Sequence, residues 1–145
     1  MQPVTSNVYV AYRAMRGRLA DTLYPPDLDP LCSIIVWMLW RDGRSRAVAD
    51  LRNALALPAS TMSSALRRLE ERGLIRRSPH VDDARYRVAT LTLAGTSCAA
   101  PIADMIGELE RDVHETAGPD ARLGLDRVAT MLAAMDEEAY VGRFR

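Results

Sequence analysis

At 145 residues, with 48% hydrophobic and 26% charged side chains, the chain is sized for one ordered domain around a single core, which excludes a disordered or low-complexity protein. Its formal net charge of zero excludes a uniformly basic binder of polyanions, yet the charge is unevenly placed: between Arg44 and Arg87 ten arginines stand against five acids, a local net of +5 that the rest of the chain cancels. No apolar run approaches the roughly 18 residues of a membrane span and no signal-like leader opens the chain, so a cytoplasmic protein without a membrane partner is expected.

In chain order, Met1 to Asn7 is polar and reads as a frayed end. Val8, Tyr12, Met15, Leu19 and Leu23 recur at helical spacing, predicting a helix from Val8 to Leu23 that Tyr24-Pro25-Pro26 stops. Asp29-Pro30 is an N-cap acceptor followed by proline at the first helical position. Leu31, Ile34, Ile35, Met38 and Leu39 then share one face, which Trp37 and Trp40 widen until the helix is apolar nearly all round and therefore buried. Ile34-Ile35-Val36 would also suit a strand, but the length and the caps favour helix, and Asp42-Gly43 ends it.

Ser45 is placed to cap a third helix, Arg46 to about Leu55, buried through Val48, Leu51 and Leu55. Leu57-Pro58 breaks the chain before a fourth, roughly Ala59 to Arg72, with Met62, Ala65, Leu66 and Leu69 as its buried stripe. Its other face carries Ser60, Ser63, Ser64, Arg67, Arg68 and Glu71, hydroxyls and guanidiniums of the kind that reach base edges and phosphates. Helix, tight turn and helix over one core describe a helix-turn-helix, closed by Gly73. Leu74 to Ser78 and Arg87 to Leu93 alternate with period 2 around Pro79 to Arg85, a hairpin with a polar tip.

Thr92 caps a long helix from about Leu93 to Glu115 with a stripe of Ile102, Met105, Ile106, Leu109 and Val113; Pro101 should kink it. Gly118-Pro119 precedes a last helix in which Leu125, Val128, Leu132, Met135 and Ala139 keep a heptad-like spacing. The fold class is therefore mainly α with a small β-hairpin wing: a winged helix-turn-helix over residues 28–95, with 1–27 and 96–145 as helices of a dimer interface in a single 1–145 domain. Intramolecular packing of those end helices is the alternative.

Three stretches together resemble the multiple-antibiotic-resistance regulator (MarR) family of bacterial transcription factors: Leu69-Glu70-Glu71-Arg72-Gly73-Leu74-Ile75-Arg76-Arg77, then Asp83 and Arg85, then Leu91-Thr92 with Gly95. The resemblance implies a homodimer on a pseudo-palindromic double-stranded operator, with the fourth helix of each subunit in a major groove and the wing in the adjacent minor groove. It makes Arg85 the minor-groove residue and Asp83 the carboxylate that orients it. The expected DNA contacts are Ser60, Thr61, Ser63, Ser64, Arg67, Arg68, Arg77, Asp83, Arg85 and Arg87. Two positions depart from the family pattern. Ser64 stands where many members have arginine, and Pro58 where a polar cap is common, so Arg67 or Arg68 becomes the main contact.

Family members commonly answer to small phenolic or aromatic effectors, for which Tyr9, Tyr12, Arg16, Trp37 and Trp40 are the aromatic-and-cation candidates; core and interface packing is the plainer role for the same rings. Some members sense oxidants through a cysteine, and Cys32 at a helix start is a thiol of that kind or else a buried structural one. Cys32, Cys98, His80 and His114 are too scattered for a metal site, and with no Gly-rich phosphate loop or HExxH present, neither cofactor nor enzymatic activity is expected. The leading function is a DNA-binding regulator, most often a repressor, released by a small molecule. The alternative is a winged-helix module for protein interaction, without specific DNA binding.

Overall fold

The computed structural model describes residues 4–22 and 28–142. They form six helices and three strands: α1 (Val4–Thr22), α2 (Pro30–Arg41), β1 (Ser45–Ala47), α3 (Val48–Ala54), α4 (Ala59–Glu71), β2 (Ile75–Pro79), β3 (Arg87–Leu91), α5 (Leu93–Ala117) and α6 (Asp120–Gly142). Two compact units divide after Met105, within α5. Mainly helical with a small sheet, the chain has the expected fold class.

The first unit holds the core. Ile35 and Leu39 of α2, Leu51 of α3, Met62, Leu66 and Leu69 of α4, Ile75 of β2 and Ile102 of α5 are each at most 2% exposed. Burying a side chain of this size contributes about 1.5–3 kcal/mol, so this cluster dominates the unit's stability. The stripe expected on α4 is the one buried, and Asp29 caps α2 as expected, its Oδ1 accepting the Cys32 amide at 3.0 Å. Trp40 departs from the expected all-round burial of α2, being 42% exposed. Trp37 is half-buried, with the Arg41 guanidinium 4.9 Å from its ring centre.

The segment after α2 corrects the sequence reading. Ser45 does not cap a helix starting at Arg46. Gly43 and Arg44 both adopt left-handed backbone, at φ of 80° and 76°, which turns Ser45–Ala47 into β1. The sheet runs β1-β3-β2, antiparallel throughout, with Arg46 opposite Ala89 and Arg77 opposite Ala89 from the other side. The Ser45 and Thr90 hydroxyls meet at 2.9 Å across the strands. α3 therefore starts only at Val48, with no side-chain cap. Ala56, in the turn between α3 and α4, also sits at positive φ (49°), a place where glycine would be unstrained.

Thr92 caps α5 as expected, its Oγ1 accepting the Gly95 amide at 3.1 Å and donating to the Gly73 carbonyl at 2.6 Å. The first helix begins earlier than expected, at Val4, because polar Thr5, Ser6 and Asn7 are tolerated in an opening turn. Leu23 and the Tyr24-Pro25-Pro26 stop lie outside the described residues.

In the second unit, α5 ends at Ala117, two residues beyond the expected end, and Gly118, with a φ of 76° and its amide donating to the His114 carbonyl, terminates it. Leu123, Leu125 and Met131 of α6 are more than half exposed, as are Tyr9, Val10 and Tyr12 of α1 in the first unit. The side chains of Leu19, Leu132, Met135 and Ala139 lie outside those described.

Candidate nucleic-acid interface

Because Met62, Ala65, Leu66 and Leu69 face the core, helical geometry turns Ser60, Thr61, Ser63, Ser64, Arg67 and Arg68 outward, and all six are exposed. Among the described residues the four hydroxyls have no hydrogen-bond partner, and Pro58 at the N-cap offers α4 no side-chain acceptor. Their donors and acceptors therefore face solvent or a ligand rather than capping their own helix.

The two arginines left open by the sequence are distinguished by their partners. Arg68 is tied back, its Nη1 lying 3.0 Å from Oδ2 of Asp29, the carboxylate that also caps α2. Arg67 has only Glu71 at 3.7 Å one turn on, and its side chain is 65% exposed. An exposed i,i+4 pair of that length contributes little, so Arg67 is the freer cation of the helix face.

The wing is built out from α4 by a second carboxylate. Glu70 accepts from Arg77 Nη2 at 2.6 Å, Arg77 Nε at 3.0 Å and the Arg77 amide at 3.3 Å, clamping β2 to the end of the helix. These hydrogen bonds from Arg77 hold the Glu70 carboxyl below its ordinary value. Arg77, expected among the DNA contacts, is thus engaged within the fold. Beyond it the strands part at Pro79 and Arg87, and the His80 amide donates to the Tyr86 carbonyl at 2.9 Å to close the tip.

At that tip Asp83 and Arg85 form the fork the sequence suggested. Arg85 donates from Nη2 to Oδ2 at 2.7 Å and from Nε to Oδ1 at 3.0 Å, and its amide also reaches Oδ1 at 3.0 Å. Hydrogen bonding to Arg85 lowers the Asp83 pKa, and the same bond raises that of Arg85, so both stay charged. The Arg85 side chain is nonetheless 85% exposed, a guanidinium fixed in direction but open to a partner.

Between α3, α4 and the wing lies an open cleft of about 260 Å³, lined by Arg52, Ser63, Arg77, Arg85, Tyr86 and Arg87 among others. Arg52 was not among the expected contacts. It follows buried Leu51 on a helix of only seven residues, too short for its faces to be read from periodicity.

The remaining candidates lie outside this cleft. Tyr9, Tyr12 and Arg16 share a shallow depression on α1 with Arg13 and Gly17; Trp37 and Trp40 of α2 do not line it. Cys32 is fully buried, its thiol donating to the Ala65 carbonyl at 3.7 Å, and burial pushes its pKa up to about 12. The helix start does not activate it. Burial raises Cys98 as well. No metal-binding cluster and no helix long and apolar enough to cross a membrane occur among the described residues.

A helix with a polar outer face, a wing clamped to its end and a guanidinium at the wing tip define a winged helix-turn-helix. Residues 34–86 match the model of the MarR family, in line with the resemblance carried by its motifs. Comparison with curated proteins gives no sequence match. Among solved structures, the transcription regulator MarR from Oenococcus oeni PSU-1 superposes with a TM-score of 0.80 at 18% identity, over 90% of this chain and 98% of that one. NadR in complex with 4-hydroxyphenylacetate gives 0.71 at 22% identity, over 92% and 94%. A mutant MarR from E. coli complexed with operator DNA gives 0.67 at 18% identity, over 90% and 93%. At these identities the likeness is one of fold.

Proposed function

We propose that the chain is a bacterial, cytoplasmic transcriptional regulator that acts by binding rather than catalysis, a homodimer on a pseudo-palindromic operator that represses until a small molecule releases it. The observation that carries this reading is the unsatisfied hydroxyl and guanidinium face of α4 beside a wing whose Arg85 is held by Asp83. A pre-oriented guanidinium enters a narrow minor groove with less ordering cost than a free one. The exposed apolar residues of α1, and separately those of α6, support the pairing of two chains. NadR, of the same fold, was solved with a phenolic acid bound. The Tyr9, Tyr12 and Arg16 group is the corresponding candidate for a phenolic or aromatic carboxylate in this chain.

The test is fluorescence anisotropy with duplex from the chain's own upstream region, titrated at several salt concentrations, beside sedimentation of the free protein. The expected result is a dimer whose affinity falls steeply with salt, because arginine-phosphate contacts release counterions. Arg85→Ala should weaken operator binding and reduce the salt slope by about 1. Absence of binding to any duplex at low salt would overturn the reading in favour of a protein-docking module.

A further inference from the structure

A helix in a major groove and a wing in the adjacent minor groove stand on either side of one sugar-phosphate strand, so whatever lies between them faces that strand. In this chain that position is occupied by the cleft between α3, α4 and the wing, with Ser63 on the helix side, Arg87 on the wing side and Arg52 contributed by α3. Four guanidiniums and no carboxylate line it. Two of the four are compensated: Arg77 by Glu70 at 2.6 Å and Arg85 by Asp83 at 2.7 Å. Arg52 and Arg87 have no such partner among the described residues. The result is a concave site with two uncompensated cations and an unsatisfied hydroxyl, which suits a tetrahedral oxyanion carrying one negative charge.

We propose that this cleft seats one backbone phosphate of the bound duplex, held by Arg52 and Arg87 with the Ser63 hydroxyl. The proposal rests on the DNA-binding reading above. It assigns a contact to α3, outside both the reading helix and the wing, and makes that contact independent of sequence, because a phosphodiester presents no base edge.

The experiment uses the full chain and compares it with Arg52→Gln and Arg52→Lys. If the unaltered chain binds no duplex, the functional reading itself fails before the variants are compared. Given binding, Arg52→Gln is expected to reduce the salt slope by about 0.9. It should weaken operator and unrelated duplex by the same factor, roughly tenfold for one charge-assisted contact. Arg52→Lys should recover most of the slope. A methylphosphonate scan, which neutralises one phosphate at a time, should find a single position per half-site whose substitution weakens the unaltered chain more than it weakens Arg52→Gln, which keeps Arg87. Additive losses at every position, or a loss confined to the operator, would overturn the proposal. So would competition by millimolar inorganic phosphate at constant ionic strength that Arg52→Gln abolishes while the scan stays additive, because the cleft would then hold a free anion.

Discussion

Gly95 stands where two physical effects oppose each other, and the structure says which is larger. In a helix, replacing glycine by alanine gains about 1 kcal/mol of propensity. At Gly95, however, an added Cβ would lie 1.9 Å from the Leu74 carbonyl oxygen and 3.0 Å from Leu91 Cδ2. Carbon and carbonyl oxygen approach to about 3.3 Å at best, so backbone must separate by more than an ångström. The same carbonyl accepts from the Thr92 amide at 3.0 Å and from Thr92 Oγ1 at 3.2 Å, the bonds that join the start of α5 to the base of the wing. Overpacking costs about 1–3 kcal/mol and each weakened hydrogen bond about 0.5–1.5 kcal/mol. Set against the propensity gain, Gly95→Ala is expected to destabilise by about 1–5 kcal/mol, a large share of a typical 5–15 kcal/mol. Urea unfolding followed by circular dichroism measures it. Gly107, where an added Cβ meets nothing within 4 Å, is the control, and Gly107→Ala should show the gain alone. A Gly95→Ala protein as stable as the parent would refute the close approach and, with it, steric exclusion as the reason that motif carries glycine.

Glu70→Gln removes a negative charge from beside the proposed DNA-binding face, so bulk electrostatics predicts tighter binding; if Glu70 instead holds the wing through Arg77, anisotropy will show weaker binding. The same carboxyl gives a pH signature. Its folded pKa is depressed by Arg77, so its contribution is complete above the unfolded value of about 4.3 and is lost as pH falls through the lower folded value. Acid titration of stability should accordingly be shallower in Glu70→Gln, and an unchanged acid limb would remove Glu70 from the account. Cys32, buried and with its pKa pushed up to about 12, should resist a thiol reagent at pH 8 in the native protein and react on unfolding. Rapid native labelling at that position would reverse the case against redox sensing there.

What the sequence made legible are features whose cause is local. The α4 stripe, the Asp29-Pro30 start and the Thr92 cap each depend on residues within about two turns of one another, and each is where periodicity or capping places it; the Asp83–Arg85 fork, equally local, came from the family resemblance. β1 escaped because three residues cannot show an alternation, and its partner β3 lies far along the chain. Arginine pairing escaped for the same reason. Asp29 and Asp42 lie outside the basic stretch in sequence, yet Asp29 reaches Arg68 at 3.0 Å and Asp42 reaches Arg46 at 2.6 Å. Counting them, ten arginines stand against seven acids and the local excess drops from +5 to +3. Pairing does more than lower that sum, because it decides where the remaining charge is available. With Arg46, Arg68, Arg77 and Arg85 directed by carboxylates, Arg67 has only a distant partner and Arg52 and Arg87 have none among the described residues. A count along the chain ranks all ten arginines alike; in the fold, Arg67 on the helix face and Arg52 and Arg87 in the cleft beside the wing are among those left without a close carboxylate, and a duplex straddled by helix and wing would place a phosphate there.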